Sequence, residues 1–372
     1  MSTPTPFVPP PYPYDRLDEA KKLANRFEGG AIELSIGTPC DSPPPAVISA
    51  MSTSNTERGY PMSLGQESYR TAAAQWMKRR LAVDVPTSAI AACIGTKEFV
   101  ATTPQYLKLR SPAKDTVLYP AVSYPTYEMG ATLAGCRAVA VPVDEQWRLR
   151  LDAIDVGDAE RALMLWTNSP SNPTGALDDL GAAAAWGRTH SVPVFSDECY
   201  VEFTWNGPRE SILSEGSSGV VAVHSLSKRS NLAGGRAGFY AGDSELVAYL
   251  GEVRKHVGMM VPGPIQAAAV AAWNDDEHVE LQRAVYLGRL GRTAAILSAW
   301  SNIDIELPDG GFYLWFRAPD GDAWGYVEQL ARQGGAVVSP GEFYGPAGRE
   351  YVRVAVVQPD AQLELLAQRL GV

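Results

Sequence analysis

Between residues 90 and 240 short apolar runs recur, each separated from the next by a helix-like segment: Ile90 to Ile94, Thr116 to Tyr119, Ala138 to Val141, Ala162 to Trp166, Val192 to Phe195 and Val220 to Val223. Runs this short and this apolar are buried on both faces, and their alternation with helices predicts a mostly parallel sheet flanked by helices. Each run gives way to a polar or Gly-rich turn, where α/β proteins place their ligand groups. Ahead of this region, Tyr14 to Phe27 reads as a first helix, Ala31 to Ile36 as a short strand meeting the turn Gly37-Thr38-Pro39, and Ala46 to Met51 as a helix start. Ser68 to Leu81 is expected to be a helix with Ala72, Ala73, Trp76 and Met77 on one side. Beyond Glu252 a helical region runs to about Trp300, followed by a strand-rich tail holding Gly311 to Arg317, Ala336 to Ser339 and Tyr351 to Val357. The expected division is residues 1–40 as an N-terminal arm and part of a small domain, 41–255 as a large domain, and 256–372 as an interdomain helix and a small C-terminal α+β domain.

Composition narrows the function. At 372 residues the chain has material for one large and one small core. A net charge of −10 argues against a general nucleic-acid binder, although a few local arginines can still receive an anion. Cys40, Cys93, Cys136 and Cys199 form no C-x-x-C pair, so reduced thiols are expected rather than a disulfide frame or a metal site, and the expected location is cytoplasmic. The Pro-rich stretch Met1 to Pro13 has neither the basic segment nor the apolar run of a secretory signal. No stretch approaches the roughly 20 apolar residues of a membrane span.

The turns carry the chemistry. Gly95-Thr96-Lys97 follows the first run and opens a helix, where backbone N–H groups can receive a phosphate. Asn168-Ser169-Pro170-Ser171-Asn172-Pro173-Thr174-Gly175 follows the fourth, Ser196-Asp197-Glu198-Cys199-Tyr200 the fifth, and His224-Ser225-Leu226-Ser227-Lys228 the sixth, with Gly234-Gly235-Arg236 soon after. Singly each is an ordinary turn or surface segment; at the strand ends of one sheet they describe one site. A lysine amine can form a Schiff base with an aldehyde cofactor. Serines and a forked arginine clamp a phosphate, and a buried Asp keeps a pyridine nitrogen protonated so that the ring can accept electrons.

The ordered set N-P-T-G, S-D-E-C-Y, S-L-S-K and G-G-R-A-G resembles the fold-type I pyridoxal-phosphate (PLP) enzymes, specifically the class I/II aminotransferases, over about Ile32 to Val357. The resemblance implies the PLP-transferase fold, a homodimer with active sites at the subunit interface, and a large domain that holds the cofactor. It implies that Lys228 carries PLP and acts as acid and base, and that Asp197 pairs with the pyridinium. Asn172 and Tyr200 would contact the phenolate oxygen, and Tyr124 would stack on the ring. Gly95, Thr96, Lys97, Ser225, Ser227 and Arg236 would hold the phosphate, with Tyr60 reaching the neighbouring subunit's phosphate. Arg353, Gly37 and Asn172 would receive the substrate, Arg353 gripping its α-carboxylate. No metal and no nucleic-acid or membrane partner is implied; the partners are amino acids and 2-oxo acids, in ping-pong order.

Finer resemblance, in Ile94 to Glu98, Ser123 to Ala131, Arg254 to Pro262 and Pro340 to Pro346, is to bacterial N-succinyldiaminopimelate aminotransferases of lysine biosynthesis. It implies transfer from glutamate to N-succinyl-2-amino-6-oxopimelate, with one of Arg254, Lys255 and His256 expected to read a distal carboxylate. An aminotransferase of aspartate or aromatic type, or a β-elimination lyase, would keep the same cofactor residues. A regulator with an aminotransferase-like domain would need a DNA-binding module ahead of the fold. No G-x-G-x-x-G opens the first strand–helix turn, and no G-x-S-x-G elbow is present, which sets aside a dinucleotide dehydrogenase and a serine hydrolase.

Overall fold

The computed structural model describes residues 6–372; Met1 to Thr5, the start of the expected arm, lie outside the described residues. The strands are β1 (Ile32–Glu33), β2 (Ile90–Cys93), β3 (Thr116–Pro120), β4 (Arg137–Val141), β5 (Ala162–Asn168), β6 (Val194–Asp197), β7 (Val220–Ser225), β8 (Gly238–Gly242), β9 (Tyr313–Arg317), β10 (Ala336–Val337), β11 (Ser339–Pro340) and β12 (Tyr351–Ala355). A seven-stranded sheet has the order β2-β8-β7-β6-β5-β3-β4. Strands β3 to β7 pair in parallel, while β8 runs antiparallel to both β2 and β7. The mostly parallel sheet expected from the apolar runs is therefore present. The strand that sequence reading passed over is β8, whose bracketing Gly238 and Gly242 look like turn residues. Both lie so close to β7 that a Cβ on either would collide with its backbone.

Burial explains the continuous apolar runs. Along β7, Val220 and Ala222 join one core and Val221 and Val223 the other, so successive side chains feed opposite faces of the sheet. The helix Glu67–Leu81 buries Ala72, Ala73, Trp76 and Met77 on the first face, as its periodicity predicts. The helices Thr96–Arg110 and Thr126–Leu133 pack on the other through Phe99, Val100 and Tyr127.

A separate core joins the two ends of the chain. Leu17, Ala20 and Ala24 of the helical segment Pro13–Ala24 meet Leu314, Leu330, Val352 and Leu363 there. Strand β1 pairs in parallel with β10, and β11, β12 and β9 form an antiparallel sheet. The long helical region is three helices, Ser244–Val257, Gly263–Asn274 and Glu277–Ser301. Gly258 ends the first in a left-handed conformation (φ 80°), and Pro262 caps the second. Among the described residues no helix is long and apolar enough to cross a membrane.

Candidate active site

The carboxyl ends of β5, β6 and β7 deliver Asn168, Asp197 and Ser225 to a common edge, facing the start of the helix Thr96–Arg110. They open on a cavity of about 260 Å³ that is also lined by Gly37, Thr96, Lys97, Tyr124, Asn172, Tyr200, Ser227, Lys228, Arg236 and Arg353. Nearly the whole set expected from sequence is thus gathered at one place, from segments more than 300 residues apart.

One end is built for a dianion. Thr96 is the first residue of its helix, and Gly95 precedes it at φ 68°. A Cβ at Gly95 would run into the Arg236 guanidinium, so the glycine is what lets that side chain cross. Ser225 Oγ caps the short helix Leu226–Arg229 by accepting from Ser227 N at 3.1 Å. Arg236 sits at φ 54°, uncommon for a side-chain-bearing residue, and donates through Nη1 to Ala233 O at 2.7 Å. Among the described residues no carboxylate pairs with it. Lys97 lines the same cavity but is exposed, its Nζ 3.4 Å from Tyr12 Oη and 5.0 Å above that ring.

In the middle, Lys228 Nζ donates to Gly37 O, with the Phe312 ring 5.7 Å away. Burial, reinforced by the Arg353 and Arg236 charges, pushes its ammonium down to about 8. Asp197 is buried and accepts from Tyr127 Oη at 3.1 Å and Cys199 N at 3.2 Å. Burial raises its carboxyl above the ordinary range. Among the described residues Asp197 has no cationic partner, and a buried carboxylate in that position is costly until a cation meets it.

At the other end Arg353 is 2% exposed between the Tyr313 and Tyr344 rings, its guanidinium carbon 4.2 and 4.6 Å from their centroids. It donates to Asn172 Oδ1 at 2.8 Å, Tyr14 Oη at 3.2 Å and Ser35 O, while its buried Nε has no partner. Asn172 thereby keeps its amide N–H groups for the cavity. Tyr200 Oη is 2.8 Å from Tyr313 Oη. Gly37 closes against Tyr313, whose ring a Cβ there would strike.

Two expectations stand apart from the cavity. Tyr60 is 99% exposed and lines none of it. Arg254, Lys255 and His256 do not line it either. Arg254 is 1% exposed, lies over Phe99 and Tyr240, and forks onto Glu98, while Lys255 sits 3.6 Å from Glu252 on the helix surface. The basic cluster is split by the helical turn, which sends Arg254 into the core.

Sequence reasoning missed Tyr12, Tyr14, Tyr127, Asn168, Cys199 and Tyr313 as site residues. Tyr127 was within reach, since it follows Tyr124 by three residues at a helix start, and Tyr313 alternates with Trp315 along an evident strand. Tyr12 and Tyr14 carry no local signal, because only the packing of the arm brings them back.

The donor set fits PLP: an unneutralised Arg236 with serine and helix-start donors for a phosphate, an unpaired buried Asp197 for a pyridinium, and an amine lowered toward reactivity at Lys228.

Residues 30–370 match the profile of the family described as "Aminotransferase class I and II". The 4-dedimethylamino-4-oxo-anhydrotetracycline transaminase OxyQ of Streptomyces rimosus is 40% identical, over 97% of this chain and 99% of its own length. The LL-diaminopimelate aminotransferase of Aquifex aeolicus is 34% identical, over 98% and 96%. Among solved structures, a probable N-succinyldiaminopimelate aminotransferase from Thermus thermophilus superposes with a TM-score of 0.85 at 32% identity, covering 96% of this chain and 98% of that one.

Proposed function

The chain belongs to the class I and II aminotransferases, which are PLP-dependent, and on that premise we propose that it moves an amino group from glutamate to N-succinyl-2-amino-6-oxopimelate, giving N-succinyl-LL-diaminopimelate and 2-oxoglutarate. The observation that carries the reading is Arg353, a buried arginine with an unpartnered Nε that lines the same cavity as Arg236. Two separate anion-binding ends are what a phosphorylated cofactor and an amino-acid carboxylate together require. The choice of acceptor is supported by the relatives, one named for LL-diaminopimelate and one structural neighbour for its N-succinyl derivative.

When bound, PLP supplies an electron sink for the pair released as the substrate Cα–H bond breaks. Asp197 keeps the ring nitrogen protonated, and Tyr127 and Cys199 N hold that carboxylate in place. Arg353 grips the α-carboxylate and so fixes which substrate bond faces Lys228. Lys228 would hold the cofactor, and its amine, lowered toward neutrality by burial, is the group that would take up the proton from the substrate Cα. Asn172 and Tyr200 would donate to the phenolate oxygen of the bound cofactor, and Tyr124 would cover its ring. A second 2-oxo acid then runs the same proton transfer in reverse.

The cofactor-binding unit is proposed to span residues 41–255, with 1–40 and 256–372 supplying the substrate side. A homodimer completes the proposal, with the protruding Tyr60 entering the neighbouring subunit's cavity.

The test is spectroscopic. Glutamate should bleach the visible band of the PLP-loaded protein, and N-succinyl-2-amino-6-oxopimelate should restore it. Restoration by 2-oxo acids without a distal carboxylate, but not by this acceptor, would overturn the substrate. A band that LL-diaminopimelate bleaches as fast as glutamate would favour the direct diaminopimelate reaction of the Aquifex relative. Release of pyruvate and ammonia from a cysteine conjugate without any acceptor would favour the lyase.

A further inference from the structure

We propose that Arg229, which directly follows Lys228, is a positioning residue that sets the angle at which the lysine meets the substrate proton. The inference rests on Lys228 being the proton carrier, as proposed above.

Lys228 sits on the helix Leu226–Arg229, only 4 residues long. A helix that short has no stability of its own, so its orientation must be imposed by side chains. Successive helical residues point about 100° apart, and here Lys228 turns to the cavity while Arg229 turns to the core. Arg229 is 2% exposed, with its guanidinium carbon 5.7 and 5.2 Å from the Trp76 and Trp273 ring centroids.

Its bonds run to two other parts of the molecule. Nε donates to Glu202 Oε1 at 3.2 Å. Nη1 donates to Ala272 O at 2.6 Å and Ser230 Oγ at 3.3 Å, and Nη2 to Asp275 O at 3.1 Å and Asp276 Oδ1 at 3.2 Å. Glu202 lies two residues beyond Tyr200, on the segment that begins at Asp197. It is itself held by Trp76 Nε1 at 2.7 Å and by Arg80 Nε and Nη2 at 3.2 and 2.9 Å. The Ala272, Asp275 and Asp276 contacts lie where the helix Gly263–Asn274 hands over to Glu277–Ser301.

One fully engaged fork thus ties the lysine's helix to the segment carrying Asp197 and Tyr200, and to the junction of two long helices. A lysine in its place would keep the charge but could not span these partners at once. Rotation of the short helix would carry Nζ away from Cα, and a displacement of about 1 Å can cost up to about 100-fold in rate.

The experiment compares wild type with R229K, E202Q and D276N. Sites are counted by borohydride fixing of PLP on Lys228 and peptide mass spectrometry, and each rate is expressed per fixed site. We expect R229K and E202Q to lower kcat for the glutamate half-reaction about tenfold or more, with KM within about threefold. The isotope effect with α-deuterated glutamate should rise, because proton transfer becomes slower than the other steps. Should R229K fail to fold, E202Q and D276N decide, since each removes one partner and leaves the arginine. If the variants melt at lower temperature while kcat per fixed site and the isotope effect stay at wild-type values, Arg229 is a core brace only and the proposal falls. A wild type that fixes PLP on Lys228 but ignores glutamate would unseat the substrate reading alone, and the same comparison then runs with LL-diaminopimelate.

Discussion

Replacing Arg353 by lysine keeps the positive charge and removes the fork. In wild type the guanidinium is fixed from behind by Asn172 Oδ1, Tyr14 Oη and Ser35 O, and from both sides by the Tyr313 and Tyr344 rings. A lysine ammonium can satisfy some of these acceptors or reach a substrate carboxylate, but it cannot do both. The loss comprises one charge-assisted hydrogen bond to the substrate, at about 1.5–3 kcal/mol, and one buried acceptor left without a donor, at about 1–3 kcal/mol. A total of about 3 kcal/mol corresponds to about a 100-fold fall in kcat/KM for glutamate. Stopped-flow bleaching of the PLP band measures this directly. A primary amine without a carboxylate, such as n-propylamine, should react at the wild-type rate in the same variant, which separates carboxylate recognition from damage to the site. An R353K protein that handles glutamate within about threefold of wild type would refute the assignment of Arg353 as the carboxylate grip.

Further outcomes follow from other features. Lys228→Ala should bind PLP non-covalently, show no borohydride fixing and lose the bleaching by glutamate; in wild type, loading requires the neutral amine, so its rate should climb as pH rises through about 8 rather than near 10. Gly95→Ala forces a left-handed backbone on a side-chain residue and pushes aside Arg236, and should weaken PLP binding at least about tenfold, measured by cofactor titration of the apoprotein. Although burial alone would raise it, the charges of Arg229 and Arg80 hold the Glu202 carboxyl down at about 2, below its ordinary value of 4.5. A depressed folded value means stability that is present above pH 4.5 and lost as pH falls toward 2, so acid unfolding should be steeper in wild type than in Glu202→Gln, followed by circular dichroism between pH 6 and 3.

Much of the large sheet is legible because β5, β6 and β7 are buried, largely apolar runs that end in polar turns. Asn172, Asp197, Ser225 and Lys228 stand at those ends, and their roles could be guessed from chemistry that a buried strand end would otherwise penalise. Arg353 has no such local mark. It sits on a strand of alternating character, and only the resemblance to a family drew attention to it. The tyrosines around it are less legible still, since Tyr14 and Tyr344 acquire their function from the meeting of the two ends of the chain. Arg254 shows how a local pattern can mislead about position. A basic triplet at a helix end suggests a charged surface, but residues one apart on a helix point in different directions, and the first of the three is paired with Glu98 inside the protein. Strand β8 went unread because close packing of backbones demands glycine, and glycine in a sequence looks like a turn.

The antiparallel direction of β8 also bears on the order in which this site can form. The chain leaves the sheet at Ser225 and re-enters it at Gly238 on the adjacent strand, so Ser225, Ser227, Lys228 and Arg236 lie on one loop whose ends are already paired. Closing a loop that short costs little chain entropy, whereas Gly37, Asn172 and Arg353 must be brought together across most of the chain. The phosphate end can therefore assemble as soon as the sheet does, while the carboxylate end waits for both termini. In a folding chain the loop that carries the phosphate contacts would therefore form before the contacts for a substrate carboxylate.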